Sequence, residues 1–540
     1  MATAAASPGR RKPAAAAPPT LTAAEDVALL PVENNVLLAV GIMLASLLQI
    51  LDTTIANVAI PHMQSTLGAT NDEISWVLTS YIVAVAVAMP ITGWLADRIG
   101  SRRLFLLSVA GFVLSSMLCG LAQNVTQMVL FRALQGATGA FISPLSQAGM
   151  IDTNKPSRQS QMMAIWGMGI MTGPILGPIL GGWLTENWNW RAVFFVNVPL
   201  GAVSLLIMAA ELPSRVITRR KFDLTGFALV ALGLTSVQLL LDRGNHIDWF
   251  DSAEAWLYAW LAISCAWMAV IHMTTTREPL FQRLLFADVN FIFGILLSLV
   301  MGVVMFATMA LLPPMLQRLF GYSVIDTGLS LMPRGVGTLI TMQISGILVR
   351  KGVDPRMLMA MGFGIAAVSL WEMSLWSLQT DYWHFATSGF VQGIGMGLVF
   401  IPMNASSYAT LPPQLRTDGS SLLNLSRSIG SSVGISIVTT LLARGVQTNH
   451  ENLAGGITAS MTSLLDFSGM DRFQDMGEVA LRVVDAEVNR QAAMIAYIND
   501  FRIMMWMTLA AIPIVMLMRR PQLRATVVSD EDQPPADMPH

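Results

Sequence analysis

Long apolar runs, separated by short polar turns, recur from residue 36 to the C-terminal region. Fourteen can be marked, at approximately 36–57, 74–96, 103–121, 128–150, 161–184, 192–212, 224–242, 254–273, 290–312, 324–348, 357–376, 383–403, 418–443 and 501–518. Most have the length a helix needs to cross a bilayer, about 20 residues. Almost all are free of charge inside. No soluble core absorbs so many, so the pattern predicts an all-α polytopic membrane protein.

Basic residues orient the spans. With the N-terminus inside, the inner loops carry Arg98, Arg102 and Arg103, Lys155 and Arg158, Arg215, Arg219, Arg220 and Lys221, Arg350, Lys351 and Arg356, and Arg519, Arg520 and Arg524. The short outer loops carry only Arg191, Arg243 and Arg318. This positive-inside bias predicts two cytoplasmic termini. The first residues, rich in Ala and Pro with Arg10, Arg11 and Lys12, read as a disordered cytoplasmic tail. They lie too far from the first apolar run for a cleavable signal peptide. The one long connection, 444–499, falls outside. Helical spacing at Met476, Val479, Val483, Val484, Ala492 and Ile495 predicts a helix on the outer membrane surface, or a docking element or lid.

Composition narrows the chemistry. The chain is 54% hydrophobic and 12% charged with a net charge of -2, which offers nothing to nucleic acid. Cys119 and Cys265 both fall in apolar runs and read as packing residues. His62, His246, His272, His384, His450 and His540 are scattered, so no metal cluster and no membrane-embedded enzyme is indicated. There is no GxxxxGK[ST] pattern for ATP hydrolysis. The ionisable groups inside the spans are therefore the functional suspects.

Asp52 is the foremost. It stands deep in the first span, where a charged, unpaired acid is costly. It would take up a proton unless a cation lies nearby. It reads either as a proton or cation-substrate site or as a helix-end residue whose neighbours Thr53, Thr54 and Asn57 satisfy local backbone. Arg132, at the start of the fourth span, cannot shed its charge. Gln135 lies one turn along on the same face. Arg132 either serves Asp52 or reaches the outer interface. In the fifth span Gly169, Gly173, Gly177 and Gly181 are four apart and form one bare stripe for close helix packing. Pro174 and Pro178 each remove a helical hydrogen bond. Asn424 and Arg427 form a polar stripe in the thirteenth span, and Met403 and Asn404 late in the twelfth are placed to join it. Arg334 lies within the tenth. Arg334 and Arg427 either bind an anionic group or brace helices. Glu372 is a further acid near the outer end of the eleventh span. The 36 methionines and 14 tryptophans supply adaptable apolar surface.

The chain also repeats weakly. QGATGAFISP, from Gln135, resembles QGIGMGLVFIP, from Gln392, and GWLADRIGSRRLF resembles SGILVRKGVDPRMLM. Half-repeats of this kind mark alternating-access carriers. The second copy has Gly389 where the first has Arg132, so the halves share architecture but not charge.

These motifs resemble those of the major facilitator superfamily, in particular its fourteen-span drug:proton antiporters. GWLADRIGSRR resembles the signature between spans 2 and 3, FRALQGATGAFISP that of span 4, and GIMTGPILGPILGGWL the antiporter signature of span 5. LDTTIANVAIPHM, WNWRAVFFVNVPLG and LPPQLRTDGSSLLNLSRSIGSSVGIS are typical of the fourteen-span branch. The resemblance implies two six-helix bundles with two additional spans between them. Its domains would be a tail at 1–35, an N-terminal bundle at 36–212, additional spans and linkers at 213–289, a C-terminal bundle at 290–518 and a tail at 519–540. It implies a secondary active transporter in the bacterial plasma membrane, the inner membrane of a two-membrane cell. It would export hydrophobic or amphipathic compounds, antibiotics among them, in exchange for protons. No cofactor is implied beyond the coupling proton. Asp52 and Arg132 would couple the proton. Gly93, Asp97, Arg98, Arg102 and Arg103 would gate the inner face, with Asp97 placed to pair with a basic residue across the bundle. The span 5 glycines and prolines would press against the opposite bundle. Thr54, Asn57, Gln135, Arg334, Met403, Asn404, Asn424 and Arg427 would line a polar cavity. In a two-membrane cell, a periplasmic adaptor and an outer-membrane channel would be partners. The alternatives are a carrier of one endogenous metabolite or lipid, and a receptor or scaffold without transport.

Overall fold

The computed structural model describes residues 27–214, 221–456 and 476–519. The basic N-terminal tail, Arg215, Arg219, Arg220, Arg520 and Arg524 lie outside the described residues. The order is α1 Asn35–Leu67, α2 Asn71–Ala88, α3 Thr92–Ile99, α4 Ser101–Leu121, α5 Val125–Gly139, α6 Ile142–Asp152, α7 Pro156–Asn187 and α8 Asn197–Glu211. There follow α9 Leu224–Arg243, α10 Ala253–Thr275, α11 Val289–Phe320, α12 Val324–Arg350, α13 Pro355–Met373, α14 Tyr382–Ala409, α15 Arg416–Gly456 and α16 Met476–Leu517.

Helix ends are written into the sequence. Asn34, Thr70, Asn124, Asp223, Ser252, Asp288, Ser323, Asp354 and Asp381 each cap the helix that follows by accepting from its first-turn N–H groups. Thr70 and Glu73 complete a reciprocal capping box. Gly68, with φ of 64°, and Gly321, with φ of 71°, end α1 and α11 in the left-handed conformation that favours glycine. Pro90 lacks the N–H a continuous helix would use, and a short 3-10 turn there separates α2 from α3.

Among the described residues, twelve stretches are long and apolar enough to cross a membrane. The fourth apolar run is not one of them because it folds as two shorter helices, α5 and α6, parted at Ala140 and Phe141. The tenth, α12, has the length, at 27 residues, but polar side chains such as Arg334, Thr338, Thr341 and Gln343 dilute it.

Helices α1 to α8 pack mainly on one another, and α11 to α16 on one another, with α7 against α12 as the principal contact between these two halves. The face bearing Arg98, Arg102, Arg103, Arg350, Lys351 and Arg356 is called the basic face below. At the opposite face, the end of α9 is wedged between α2 and α15. Thr79 of α2 donates to Asp242, and the Arg243 guanidinium lies 5.2 Å from the Trp76 ring centre. On the other side Ser436 donates to the Leu241 carbonyl at 2.7 Å, and Asn245 accepts from Thr440 at 2.7 Å.

Two expectations are corrected here. The connection 444–499 does not carry a separate helix lying along the membrane surface. Helix α15 continues to Gly456, and α16 runs from Met476 through the last span. The two pack side by side, with Asn449 donating to the Ala492 carbonyl at 3.3 Å and His450 against Asp485 at 2.9 Å. The helical spacing was real, but nothing between Met476 and Pro513 breaks the helix, so it runs straight into the span.

The glycine stripe of α7 is the second correction. It faces α1 in its own half. A Cβ at Gly169 would stand 2.8 Å from Met43, at Gly173 2.8 Å from Ile50, at Gly177 2.6 Å from the Thr54 Cβ and at Gly181 3.2 Å from Ile55. The Thr54 hydroxyl donates to the Ile50 and Leu51 carbonyls and reaches the Gly173 carbonyl at 3.4 Å. The opposite half meets other residues of α7. Gln343 lies 3.3 Å from the Met168 sulfur, and a Cβ at Gly328 would lie 3.1 Å from Ile179. A stripe with a four-residue period presents one face, and a helix in a bundle has several neighbours. The helix passes Pro174 and Pro178 without a break.

Replacing Gly173 with Leu therefore drives a side chain into Ile50 and the Leu51 backbone. Overpacking of this kind costs about 1–3 kcal/mol. The purified variant should melt below wild type in detergent and transport poorly. An unchanged melting midpoint together with wild-type transport would show that the stripe is not a close-contact surface.

Candidate functional site

Asp52 lies in the middle of α1, and its carboxylate points between α5 and α8. The Arg132 Nη1 donates to Asp52 Oδ2 at 2.7 Å. The other oxygen, Oδ1, accepts from Gln135 Nε2 at 2.9 Å and from Asn197 Nδ2 at 2.7 Å. All four side chains are 0% exposed. An ionised carboxylate offers roughly four lone-pair sites. Three are filled, and the remaining one is on Oδ2, the oxygen that holds Arg132.

Each partner is itself fixed. Gln135 Oε1 accepts from Arg132 Nη1 at 2.8 Å, so one amide bridges both ions. Arg132 Nε donates to the Val77 carbonyl at 3.3 Å, and the guanidinium lies 4.2 Å from the Tyr81 ring centre. Asn197 Nδ2 also reaches Ser116 Oγ at 2.9 Å, and Ser116 donates to the Phe194 carbonyl at 2.9 Å. The Cys119 thiol lies 3.6 Å from Gln135 Oε1. Five helices thus converge on one carboxylate. Asp52, Arg132 and Gln135 were legible in the sequence. Asn197, Ser116 and Tyr81 were missed, although Asn197 is a polar residue in the apolar stretch FFVNVPLG.

A second polar layer ties the halves together at the basic face. Arg416 Nη1 donates to Asp152 Oδ1 at 3.2 Å. Ser420 donates to the Pro144 carbonyl at 2.8 Å. Gln147 Oε1 accepts from Asn424 Nδ2 at 2.8 Å and from the Tyr408 hydroxyl at 3.0 Å. Gly93 lets α3 meet α15, because a Cβ there would fall on the Asp418 carboxylate. Asp97 is in the last turn of α3. Arg98 lies 5.4 Å from the Trp94 ring centre, Arg102 Nη2 donates to the Ala209 carbonyl at 2.5 Å, and Arg103 is exposed. The sequence pointed to this face but missed Asp152, Gln147, Tyr408, Arg416 and Asp418. Gln147 inside the fourth apolar run was the available signal.

The remaining candidates scatter. Thr54 faces α7 and Gln135 belongs to the carboxylate cluster, so neither stands with Arg334, Asn424 and Arg427 in one polar cavity. Asn57 is exposed, above Asp52 toward the opposite face. Asn404 donates to the Phe400 carbonyl at 2.8 Å, and Met403 beside it is buried. Arg427 Nη1 donates to Asn424 Oδ1 at 3.3 Å, and Arg334 Nη2 to the Met305 carbonyl at 3.0 Å. Glu372 is half-buried in the last turn of α13.

Twelve apolar stretches of spanning length among the described residues, with an ion pair buried among them, define a multi-pass membrane protein. The family model for the Major Facilitator Superfamily matches residues 42–435, and the chain belongs to that family. It is 33% identical over 459 residues to the multidrug export protein EmrB of Escherichia coli K12, covering 83% of this chain and 90% of that one. It is 36% identical over 421 residues to EmrB of Haemophilus influenzae, covering 77% and 82%. It is 32% identical over 481 residues to the fatty acid resistance protein FarB of Neisseria gonorrhoeae, covering 88% and 95%. The crystal structure of the human organic anion transporter MFSD10 shares the fold, with a TM-score of 0.55 at 13% identity, covering 88% of this chain and 99% of that one. The protein is thus a secondary transporter of the superfamily's multidrug and organic-solute class, in a family without enzymatic activity. It is a multi-pass protein of the bacterial inner membrane.

Removing the anion of the pair should be destabilising. Asp52→Asn leaves Arg132 buried without a counter-charge, a loss of about 3–5 kcal/mol where such pairs are broken. The variant should melt well below wild type in detergent. Adding Arg132→Met should restore most of the difference. Equal midpoints for all three proteins would show that the pair carries no stability.

Proposed function

We propose that this protein exports hydrophobic or amphipathic compounds in exchange for protons, by alternating access. The observation that carries the reading is the fully buried Asp52–Arg132 pair. A proton on Asp52 cancels one charge of the pair, while Arg132 keeps its own. The hold on Gln135, Asn197 and Arg132 weakens together, and α1, α5 and α8 are released from a common point. The proton and the structural change are thereby the same event.

The basic-face layer supplies the second part. Asp152–Arg416, Gly93 against Asp418, and Gln147 with Asn424 and Tyr408 close that face, and Asn57 is exposed on the other side of Asp52. We assign the basic face to the cytoplasm, on the charge bias of the short loops. This conformer then faces outward, with Gly93, Asp97, Arg98, Arg102 and Arg103 at the closed inner gate. The stripe of Gly169, Gly173, Gly177 and Gly181 seats α1, and with it Asp52. We read fourteen spans: two bundles of six at 36–212 and 290–518, the additional α9–α10 pair at 213–289, and tails at 1–35 and 519–540. In this arrangement α5–α6 and α12 also cross the bilayer.

The multidrug relatives support hydrophobic and amphipathic substrates. Helix α15 has 41 residues, roughly 60 Å at 1.5 Å per residue and about twice the hydrocarbon thickness. Its projecting end, paired with α16, is the surface we assign to a periplasmic adaptor that meets an outer-membrane channel.

Two measurements test this reading. In proteoliposomes carrying a pH gradient, Asp52→Asn should lose gradient-driven export of a dye substrate; full export by that variant would remove Asp52 as the essential carrier. In intact spheroplasts, an impermeant maleimide should label Thr448→Cys. Labelling of that cysteine only after the membrane is opened would reverse the orientation.

A further inference from the structure

Arg427 of α15 is a cation in search of an anion. Arg132 has Asp52 and Arg416 has Asp152, but among the described residues Arg427 forms no ion pair. Its Nη1 meets only the side-chain Oδ1 of Asn424, at 3.3 Å. Its Nε and Nη2 are buried and have no hydrogen-bond partner. The imbalance extends to a neighbour across the seam between the halves. Gln147 uses Oε1 to accept from Asn424 and Tyr408, and its Nε2 is buried without an acceptor. Three N–H-bearing atoms, linked through Asn424, therefore lack acceptors. Buried donors left unmade are costly, and those of a charged group most of all. Arg334 also lacks a carboxylate, but its Nη2 is held by the Met305 carbonyl.

The surroundings specify the rest of the ligand. The guanidinium lies 4.9 Å from the Phe400 ring centre, and Phe400 stacks on Trp166 of α7 at 6.3 Å. Trp166 is itself pinned by donating to Ser46 Oγ at 3.0 Å. Cationic donors thus lie beside an aromatic pair that joins the two halves. This position is one turn along α15 from Asn424 and the basic-face closure.

We propose that Arg427, assisted by Gln147, binds the anionic group of an amphipathic substrate such as a carboxylate or sulfonate, and that the conformer which admits it uncovers Phe400 and Trp166, 1% and 0% exposed here, for its apolar ring or chain. The guanidinium fork suits the planar, bidentate geometry of an oxyanion. This rests on the reading of the chain as an exporter of amphipathic compounds and narrows one substrate class to anions.

The test is equilibrium dialysis in phosphatidylcholine nanodiscs, which supply no anionic lipid, with empty nanodiscs as blank and no proton gradient. The probes are 2-naphthalenesulfonate and naphthyltrimethylammonium, whose charges do not titrate. Wild type should bind the sulfonate at least ten-fold more tightly than the cation. Arg427→Gln should lose that preference, and Arg427→Lys should keep part of it. Gln147→Glu, which supplies Arg427 with an internal anion, should also expel the sulfonate. It guards against misfolding of the charge-removing variant. A wild-type protein that shows no preference for the sulfonate, or sulfonate binding that neither Arg427→Gln nor Gln147→Glu weakens, would overturn the site and leave Arg427 as a helix brace. Binding without a gradient is independent of proton coupling, so this result and the Asp52→Asn transport result can fail separately.

Discussion

A guanidinium sealed among apolar helices is the constraint around which the first half of this molecule is arranged. Arg132 cannot neutralise itself, and the desolvation of such an ion is expensive unless its charge and its donors are met. Asp52 meets the charge. Gln135, the Val77 carbonyl and the Tyr81 ring meet much of the remainder. The side-chain-free stripe of α7 brings α1 close enough for the Ile50 side chain and the Leu51 backbone to rest directly on it, one residue from the carboxylate. Close packing and ion pairing are thus two descriptions of one requirement.

The two halves answer that requirement differently. Gly136 leans on the Tyr81 carbonyl, and in the second copy Gly393 leans on the Arg334 carbonyl, so Tyr81 and Arg334 hold matching places. The cation of the first half stands on the helix of Gly136. In the second half that position is Gly389, where an added Cβ would stand 3.5 Å from the Arg334 side chain. Gln135 and Gln392 correspond and are both buried, yet Gln392 donates to Thr308 at 3.2 Å and, among the described residues, meets no carboxylate. The second half has the matching helices and the amide without the acid. A charge that is balanced inside one half is left unbalanced inside the other.

Much of this was legible in the residues. Most of the apolar runs, and the out-of-place polarity of Asp52, Arg132 and Gln135, follow from local pattern, because hydrophobic length and misplaced charge are local properties. Partnership is not. Nothing in a stripe of glycines says which neighbour it faces, and the stripe was assigned to the opposite half when it seats α1. Asn197 is one polar residue in an apolar stretch, and Asp152 and Arg416 are 264 positions apart, so only the folded chain reveals what they do. Thr54 looked like a cavity residue because it is polar. Its hydroxyl is used on its own helix and on Gly173.

The wedge formed by α9 has a consequence for how the molecule deforms. Its end is fastened to α15 through Ser436 and Thr440 and to α2 through Thr79 and Trp76. Any rotation that parts α2 from α15 must therefore either break one set of these contacts or stretch α9 with it. Helix α9 is thus a strut shared by the two halves: it ties a helix of the first to a helix of the second outside their main α7–α12 seam, and relative motion at this face either carries α9 along or parts it from one of them.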